Sequence, residues 1–320
     1  MCVILTSRPS SQYEPPDKEL VKKGYDRFSP VYNELVEEVK YILNKGIKTR
    51  KIRISEIETR VKEFESFYKK IIRHKITKDP FEAIEDIAGV RVICLYRSDL
   101  AAMEKLIRSK FKVIKAEIIH DKRDGVFGYM SDHYVVKLAE HFSGERYDSI
   151  KFLKCEIQVR TVSMHAWATV SHHLDYKQEI DIPSHLKNDF YALSGVFYIA
   201  DSLFEQFRDA RERSINVLAE SVEKNRFDLK QEMNLDSIQA FLAWKFPERK
   251  FEADDDPTPT LEDYSYLIGE LRERGLCDYQ KLNKLLNDSR DYISGNDPEL
   301  FYTRTGIVRA MLYEFFGAKT

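Results

Sequence analysis

Residues 151–177, KFLKCEIQVRTVSMHAWATVSHHLDYK, constrain the fold more than any other stretch, because an alternating pattern changes there into a helical one. In the first half, apolar residues alternate with the polar residues Lys154, Glu156, Gln158 and Arg160. Successive strand residues point to opposite faces, so one face carries a carboxylate, an amide and a guanidinium in a row. The helical half brings Met164, His165, Trp167, His172 and Tyr176. The pattern is typical of an active-site wall, and equally of an edge strand with a solvated face.

Length and composition limit the class of protein. A chain of 320 residues is long enough for more than one domain. The formal net charge of −2 gives no sign of a generally basic, nucleic-acid-binding surface, so any phosphate site must be a local cluster. The four cysteines form no CxxC pair, which argues against a disulfide framework or a zinc site and fits a reducing cytoplasm.

The chain shows no targeting or membrane segment in its sequence. Its start, MCVILTSRPSS, has a short apolar run with no basic residue before it, unlike a signal peptide. No apolar segment is long enough to cross a bilayer. We therefore expect a cytoplasmic protein without a membrane partner.

Hydrophobic periodicity divides the first two thirds of the chain into helices and strands. It predicts helices at 17–46 (ended by Gly46), 66–74, 98–110 and 182–213, and strands at 89–96, 111–119, 133–139 and 151–161. Strands flanked by helices at both ends indicate an α/β or α+β domain.

The pattern changes after residue 213. Residues 214–250 are helical and mixed in charge, and the acidic, proline-containing run 252–260 is typical of an exposed linker or loop. Residues 261–320 return to helical spacing and end in an apolar stretch, and such a chain end usually docks on something. We therefore predict two domains, at 1–220 and 221–320, the second a small helical module.

A basic cluster precedes the first predicted strand. Its members are Arg60, Lys62, Lys69, Lys70, Arg73 and Lys75. Lys70 and Arg73 share a helical face, while Arg60 and Lys62 lie on one side of an extended lead-in. Fixed cations on two adjoining elements can clamp a polyphosphate. The alternative is a basic helix face that only contacts solvent.

Two carboxylates flank predicted strands. Asp86 lies just before a buried strand that continues through Gly89 and Arg91. A carboxylate there suits Mg²⁺, which takes one or two carboxylates plus phosphate oxygens, although Asp before a strand is often only a turn residue. Paired with Glu156 on another strand, Asp86 supplies the second carboxylate of a metal-dependent phosphoryl-transfer site.

The segment GYMSDHYVV at 128–136 offers a third candidate. Gly128 permits a sharp turn, after which Tyr129, Ser131 and His133 point the same way if the strand has begun. An exposed tyrosine can stack on a base, and such stacking contributes roughly 1–3 kcal/mol. The alternative is a hairpin in which Tyr129 covers the edge of the sheet.

Together these segments resemble the synthetase domain of the RelA/SpoT family, the ATP-dependent pyrophosphokinases. The resemblance covers about residues 50–210 and follows the order of the family's motifs. ETRVKEFESFYKK resembles R-x-K-x-x-x-S-x-x-x-K, EDIAGVRVIC resembles D-I-A-G-[IV]-R, GYMSDHYVV resembles G-Y-x-S-x-H, and EIQVRTVSMHAWA resembles E-I-Q-[IV]-R-T with H-A-W-A. Four ordered motifs make a chance match improbable.

The resemblance implies an α+β fold with a nucleotidyltransferase-like mixed sheet flanked by helices. It also implies transfer of the β,γ-pyrophosphate of ATP to a ribose 3′-hydroxyl with release of AMP. By the same resemblance, Asp86 and Glu156 are catalytic and hold Mg²⁺. The implied ATP-binding residues are Arg60, Lys62, Ser66, Lys70 and Arg91. The implied acceptor-binding residues are Tyr129, Ser131, His133, Gln158, Arg160 and His165.

Three departures from the family pattern matter. Where alarmone synthetases often carry D-Y-I-x-x-P-K, this chain reads HDKRDGVF at 120–127, so contacts to GDP or GTP phosphates would need Lys122 or Arg123 instead. Where many relatives carry a glutamate after H-A-W-A, this chain has Thr169, Val170 and Ser171. The paired His and Asp motifs of the long relatives' hydrolase domain are absent.

The sequence leaves three functions open. The acceptor is either GDP or GTP, as in a small alarmone synthetase, or the 3′ end of tRNA, as in a toxin resembling the fused CapRel-type proteins. The altered loop and the module at 221–320 favour tRNA, with the module as an inhibitory or sensing domain for a protein trigger. A non-catalytic nucleotide sensor is the third, and the intact Asp86 and Glu156 pair argues against it.

Overall fold

The computed structural model describes residues 13–118, 131–173, 182–247, 260–289 and 303–317. The chain divides into two compact units, 1–206 and 207–320. The first part of the chain contains α1 (Lys18–Arg50), β1 (Ile54–Val61), α2 (Phe64–Arg73), α3 (Pro80–Ala83), β2 (Ala88–Cys94), α4 (Arg97–Lys110), β3 (Phe111–Glu117), β4 (Asp132–Leu138), α5 (Glu145–Asp148), β5 (Cys155–Thr161) and α6 (Val162–His173). The remaining helices are α7 (Lys187–Glu223), α8 (Leu235–Lys245), α9 (Leu261–Glu273), α10 (Tyr279–Asp288) and α11 (Arg304–Phe316).

The described strands form one mixed sheet in the order β1-β2-β5-β4-β3. Strands β2 and β5 are parallel, and the other neighbours pair antiparallel. This confirms the predicted α+β fold. It also shows that the edge-strand interpretation of residues 151–161 was wrong, because β5 lies between β2 and β4.

The register places the polar candidates on one face of the sheet. Gly89 pairs with Glu156, and Arg91 pairs with Gln158. Gln158 also pairs with His133 on its other side. Directly paired residues of neighbouring strands share a face. The side chains of Glu156, Gln158, Arg91 and His133 therefore lie side by side and form a polar row on the sheet.

The apolar residues of the same strands form the core on the opposite face. Val90 and Val92 of β2 and Ile157 and Val159 of β5 are buried, because alternation turns them away from the polar row. Helix α1 contacts β1 and β2, and α4 contacts β2, β3 and β5. The apolar face of the sheet therefore shares a core with α1 and α4.

Helix α1 does not end at Gly46 as predicted. It continues to Arg50 and is closed by Lys51 in the left-handed conformation at φ 55°, whose N–H donates to the carbonyls of Ile47 and Lys48. Gly46 is buried, and a Cβ there would overlap the Leu106 side chain of α4. The glycine therefore permits close packing of two helices and does not cap a helix.

The largest differences from the predicted strands concern β1 and the start of β5. The sequence indicates only an extended lead-in before Lys62, whereas 54–61 is the full strand β1, whose polar composition hides its periodicity. Strand β5 begins at Cys155, after a turn at 151–153. Both differences leave the polar row unchanged.

Thr161, the last residue of β5, joins that strand to the helices α6 and α7. Its hydroxyl donates to Asp201 Oδ2 at 2.6 Å and accepts from the Met164 backbone N–H at 3.1 Å. Asp201 is buried. Burial raises the pKa of its carboxyl, and hydrogen bonding to Thr161 offsets this only in part.

Helix α6 packs its indole against α7. Trp167 is buried and packs on Phe190 and Phe197 of α7, with ring centroids 4.4 Å and 5.9 Å away. An active-site wall that includes this indole is one of the two interpretations that the sequence pattern leaves open. Helical spacing identifies a face but does not say which neighbour covers it.

The second unit is helical, as predicted, and has its own core. Its buried members include Ile238, Phe241, Leu267, Leu282, Ile307 and Met311. The Ser237 hydroxyl and the Tyr279 hydroxyl share a buried hydrogen bond of 2.7 Å. Of the predicted linker at 252–260, residues 252–259 lie outside the described residues, and Thr260 is the N-cap of α9. None of the helices that the structure describes has the length and apolarity needed to cross a membrane.

Candidate active site

Asp86 is held immediately before β2 by two lysines. Lys62 Nζ lies 3.0 Å and Lys70 Nζ lies 2.8 Å from the same oxygen, Oδ2. Lys62 follows β1, and its own backbone is fixed because its N–H donates to the Ile87 carbonyl while its carbonyl accepts from the Tyr25 hydroxyl. The other oxygen, Oδ1, is buried and has no hydrogen-bond partner among the described residues.

The Asp86 carboxyl is ionised at neutral pH despite its burial. Burial raises its pKa, but the hydrogen bond from Lys70 and the charge of Lys62 more than offset this and hold the pKa below its ordinary value. Two lysines thus compensate the negative charge of Asp86 at Oδ2, while Oδ1 accepts no hydrogen bond from the described part of the chain.

Glu156, in the middle of the sheet, is held by its neighbours on β4 and β5. His133 Nδ1 lies 2.9 Å from Oε1, and Gln158 Nε2 donates to Oε2 at 2.8 Å. Burial raises the pKa of Glu156, and these two hydrogen bonds outweigh it, so the net shift is downward. An ionised carboxylate only accepts, so Nδ1 of His133 carries the proton.

Asp86 and Glu156 line one pocket of about 400 Å³. Lys70 and His133 also line it. Asp86 also raises the pKa of Glu156 through charge repulsion, which requires the two carboxylates to be near each other. The structure therefore brings together two acidic residues that are far apart along the chain.

Three arginines lie farther along the same face. Arg60 of β1 lies over Gly89, where a Cβ would contact its Cγ and Nε at 3.4 Å. Arg91 Nη1 pairs with Glu58 at 2.6 Å. Arg160 is buried, and burial together with the charges of Arg91 and Arg60 lowers its pKa to about 10.

Ser131 and Arg160, both assigned to the acceptor by the resemblance, are buried against each other. Ser131 is 1% exposed and Arg160 is 4% exposed. Arg160 Nε donates to the Ser131 hydroxyl at 3.1 Å, and Nη2 donates to Gln158 Oε1 at 3.2 Å. The two side chains thus contact each other, and neither lines the pocket that contains Asp86 and Glu156.

The other residues implied by the resemblance occupy different places. Ser66 is exposed on α2. His165 of α6 has a lowered pKa, first because of burial and also because of Arg91 and Arg160, and its Nδ1 is buried without a partner in the described ranges. Gly128 and Tyr129, together with Lys122 and Arg123, lie outside the described residues.

The pocket also contains charged residues that sequence reasoning missed. Glu85 precedes Asp86, and Lys115 and Glu117 come from β3. Lys115 Nζ lies 3.9 Å from Glu85 Oε2. No alternation of polar and apolar residues marks Lys115 and Glu117 in the sequence, and a bulge between Val113 and Lys115 interrupts the strand.

Known proteins are similar to the part of the chain that contains this site. A family model described as a region found in RelA / SpoT proteins matches residues 59–181. The GTP pyrophosphokinase YjbM of Bacillus subtilis is 34% identical over 175 residues, 52% of this chain and 79% of that protein. The GTP pyrophosphokinase YwaC of the same organism is 29% identical over 154 residues, 46% of this chain and 70% of that protein.

The solved structures show a similar fold. The small alarmone synthetase 1 of Bacillus subtilis, bound to its product pppGpp, aligns with a TM-score of 0.50 and 28% identity. The alignment covers 60% of this chain and 99% of that one. The matched family region contains Arg60, Asp86 and Glu156.

Proposed function

The chain belongs to the RelA/SpoT family, and from that premise we propose that it transfers the β,γ-pyrophosphate of ATP to the 3′-hydroxyl of a guanosine nucleotide. The observation that carries this proposal is that Asp86 and Glu156 line one pocket. Lys62 and Lys70 pair with Asp86, so the carboxylates lie among fixed cations. Transfer between phosphates depends mainly on such positioning and charge neutralisation.

The residues of the pocket fit a magnesium ion that binds together with a nucleotide. Mg²⁺ in such sites takes one or two carboxylates and completes its ligands with substrate phosphates and water. Asp86 Oδ1 receives no hydrogen bond from the described part of the chain, so this buried oxygen suits a cation. Asp86 and Glu156 would hold the ion, which would neutralise charge on the phosphate oxygens. Within the described ranges, no three His, Cys, Asp or Glu side chains form a metal site by themselves.

The donor side of the site is assigned to the basic residues. Lys62 and Lys70 lie on one carboxylate oxygen, and a triphosphate offers them further anionic oxygens at short range. Arg60 and Arg91 extend the positive charge across the sheet face. With Ser66, these residues are proposed to bind ATP.

The reaction is an in-line substitution at the β-phosphorus of ATP. The 3′-oxygen of the acceptor forms a bond to that phosphorus, and the bond from phosphorus to the oxygen shared with the α-phosphate breaks. AMP leaves with that oxygen. Glu156 takes the hydroxyl proton; its lowered pKa keeps it ionised and able to accept at neutral pH.

The relatives support a guanosine nucleotide as the acceptor. Two curated relatives are named GTP pyrophosphokinases. His133 and Gln158, which contact Glu156, are proposed to lie beside the acceptor ribose. Tyr129 is proposed to stack on its base. The sequence alone favours tRNA over GDP or GTP as the acceptor, whereas the relatives favour the guanosine nucleotides.

A second candidate is the 3′-terminal adenosine of tRNA. Two observations favour it: residues 120–127 lack the P-K segment common in alarmone synthetases, and the chain carries a second helical unit. In that case residues 221–320 are proposed to be a regulatory module that responds to a protein trigger. The chemistry at Asp86 and Glu156 is the same for both acceptors.

An isotope experiment tests the reaction and the acceptor together. The full-length chain is incubated with Mg²⁺, ATP labelled at the γ- or α-phosphate, and GDP, GTP or deacylated tRNA. We expect γ-label to move to the guanosine nucleotides while α-label appears as AMP. ADP in place of AMP would indicate transfer of a single phosphoryl group and would contradict the proposed reaction.

Matched variants identify the site in this experiment. Glu156→Gln should abolish transfer, because the amide cannot take the proton. Glu140→Gln alters a carboxylate that is 93% exposed just after β4 and should leave transfer unchanged. Label on tRNA alone would favour the second candidate. Label on no acceptor, with the nucleotide still bound and parent and Glu156→Gln indistinguishable, would identify a non-catalytic sensor.

A further inference from the structure

We propose that Arg160 is a positioning residue, which holds the Gln158 side chain in the one orientation that lets Gln158 orient Glu156. The inference rests on the proposed function, because that function gives Glu156 its role. It differs from the assignment of Arg160 to the acceptor. The geometry describes a row of three side chains on β5, each two residues from the next and each in contact with its neighbour.

The contacts run in one direction along the strand. Arg160 Nη2 donates to Gln158 Oε1 at 3.2 Å, and Gln158 Nε2 donates to Glu156 Oε2 at 2.8 Å. Arg160 is anchored in turn by its Nε, which donates to the Ser131 hydroxyl at 3.1 Å. Ser131 immediately precedes β4, so the anchor comes from the segment that leads into the neighbouring strand.

The chemistry of the three groups fixes the Gln158 amide. A guanidinium has only donors, an ionised carboxylate only accepts, and an amide has one end of each kind. Gln158 must therefore present its oxygen to Arg160 and its nitrogen to Glu156. Without Arg160 the amide is free to turn over, which would place its oxygen against the Glu156 carboxylate and remove a hydrogen bond from it.

Arg160 is less exposed to solvent than the arginines that are proposed to bind phosphate. Arg160 is 4% exposed, whereas the side chain of Arg91 is 25% exposed. A buried guanidinium beside two other arginines is unfavourable unless its hydrogen bonds compensate. Its contacts with Ser131 and Gln158 provide that compensation on the protein side.

Kinetics of two Arg160 variants test the role. In Arg160→Gln we expect kcat to fall about ten- to a hundredfold, the range typical of residues that orient metal or catalytic ligands, while KM for ATP and acceptor stays unchanged. Arg160→Lys should recover part of the loss, because an ammonium still donates to Gln158 or Ser131. A raised KM at unchanged kcat would make Arg160 a ligand contact and overturn the proposal.

A double-mutant cycle separates positioning from an independent effect. If Arg160 acts through Gln158, adding Arg160→Gln to Gln158→Leu should lower kcat no further than Gln158→Leu alone. Losses that multiply would show that Arg160 acts independently of Gln158, and the proposal would be wrong. Such cycles are the direct measure of coupling in a hydrogen-bonded network.

A measurement without turnover distinguishes failure of the positioning role from failure of the proposed function. The parent, Arg160→Gln, Gln158→Leu and the double variant are unfolded in urea. The changes in unfolding free energy of the two single variants should not sum to that of the double variant, because Arg160 and Gln158 share a hydrogen bond. The control pair is Arg160 and Lys22; Lys22 pairs with Asp26 on an exposed part of α1, so the two effects should be additive. A parent that transfers label to no acceptor contradicts the proposed function. Additive free-energy changes for Arg160 and Gln158 contradict the positioning role in either case.

Discussion

At the scale of single residues, Asp86 shows how a buried charge is kept in the candidate site. Lys62 and Lys70 come from different parts of the chain, and both contact its Oδ2. Removing one partner of a buried ion pair leaves the other charge poorly compensated. Substitutions at these lysines should therefore affect both the local structure and any bound polyphosphate.

We predict that Lys70→Met weakens binding of a non-hydrolysable ATP analogue roughly ten- to a hundredfold, since a hydrogen bond to a charged group contributes about 1.5–3 kcal/mol. Isothermal titration in the presence of Mg²⁺ measures the effect. Lys69→Met is the matched control, because Lys69 is exposed on the same helix. Equal losses in the two variants would mean that the helix attracts the nucleotide only through its overall charge.

At the scale of elements, close packing of α1 against α4 depends on a position without a side chain. Gly46 is buried in α1, and the Leu106 side chain of α4 occupies the space beside it. A glycine within a helix ordinarily destabilises it by about 1 kcal/mol relative to alanine. Here the packing requirement opposes the helix propensity, and the packing dominates.

We predict that Gly46→Ala lowers the free energy of unfolding by about 1–3 kcal/mol, the usual cost of overfilling a core. Gly195→Ala in α7 is the opposite case, because a Cβ there meets no atom within 4 Å. It should stabilise the helix by up to about 1 kcal/mol. Urea denaturation of both variants checks the pair. A gain in stability for Gly46→Ala would show that Leu106 moves aside at little cost.

The junction of β5 with α7 gives a prediction for pH. Burial raises the pKa of Asp201 above its ordinary value of 3.8, so the folded state takes up a proton before the unfolded state does as the pH falls. Protonation therefore adds stability between neutral pH and the unfolded pKa. Asp201→Asn has no proton to gain and lacks this increment.

The measurement is the difference in unfolding free energy between the parent and Asp201→Asn at pH 7 and pH 4. We expect the parent to gain stability relative to the variant as the pH is lowered. If the stability of the parent relative to Asp201→Asn stays constant or falls on acidification, the pKa of Asp201 is not raised.

At the scale of the whole molecule, the sequence predicted the composition of the site better than its arrangement. The position of Asp86 before a strand and the alternation around Glu156 marked two candidate carboxylates, and the pairing of β2 with β5, which brings them to one pocket, was known only from the structure. The burial of Arg160 and the proximity of Lys115 depend on neighbouring strands, which no local pattern encodes.

The division of the chain into units was harder to place from sequence. The units meet at 206/207, within α7, and a continuous helix has no change of periodicity there. Each unit nevertheless buries its own apolar cluster, and these clusters follow from the helical and strand patterns. The regulatory role assigned to residues 221–320 stays a prediction.

The row on β5 has a consequence for how this chain tolerates variation. Hydrogen bonds join Glu156 to Gln158 and Gln158 to Arg160. A replacement at one position therefore changes which donor or acceptor the next side chain must present. With Glu156 kept, exchanges at positions 158 and 160 should therefore be tolerated in combination more readily than singly. A library that randomises these two codons together would recover active variants that single-position scanning misses.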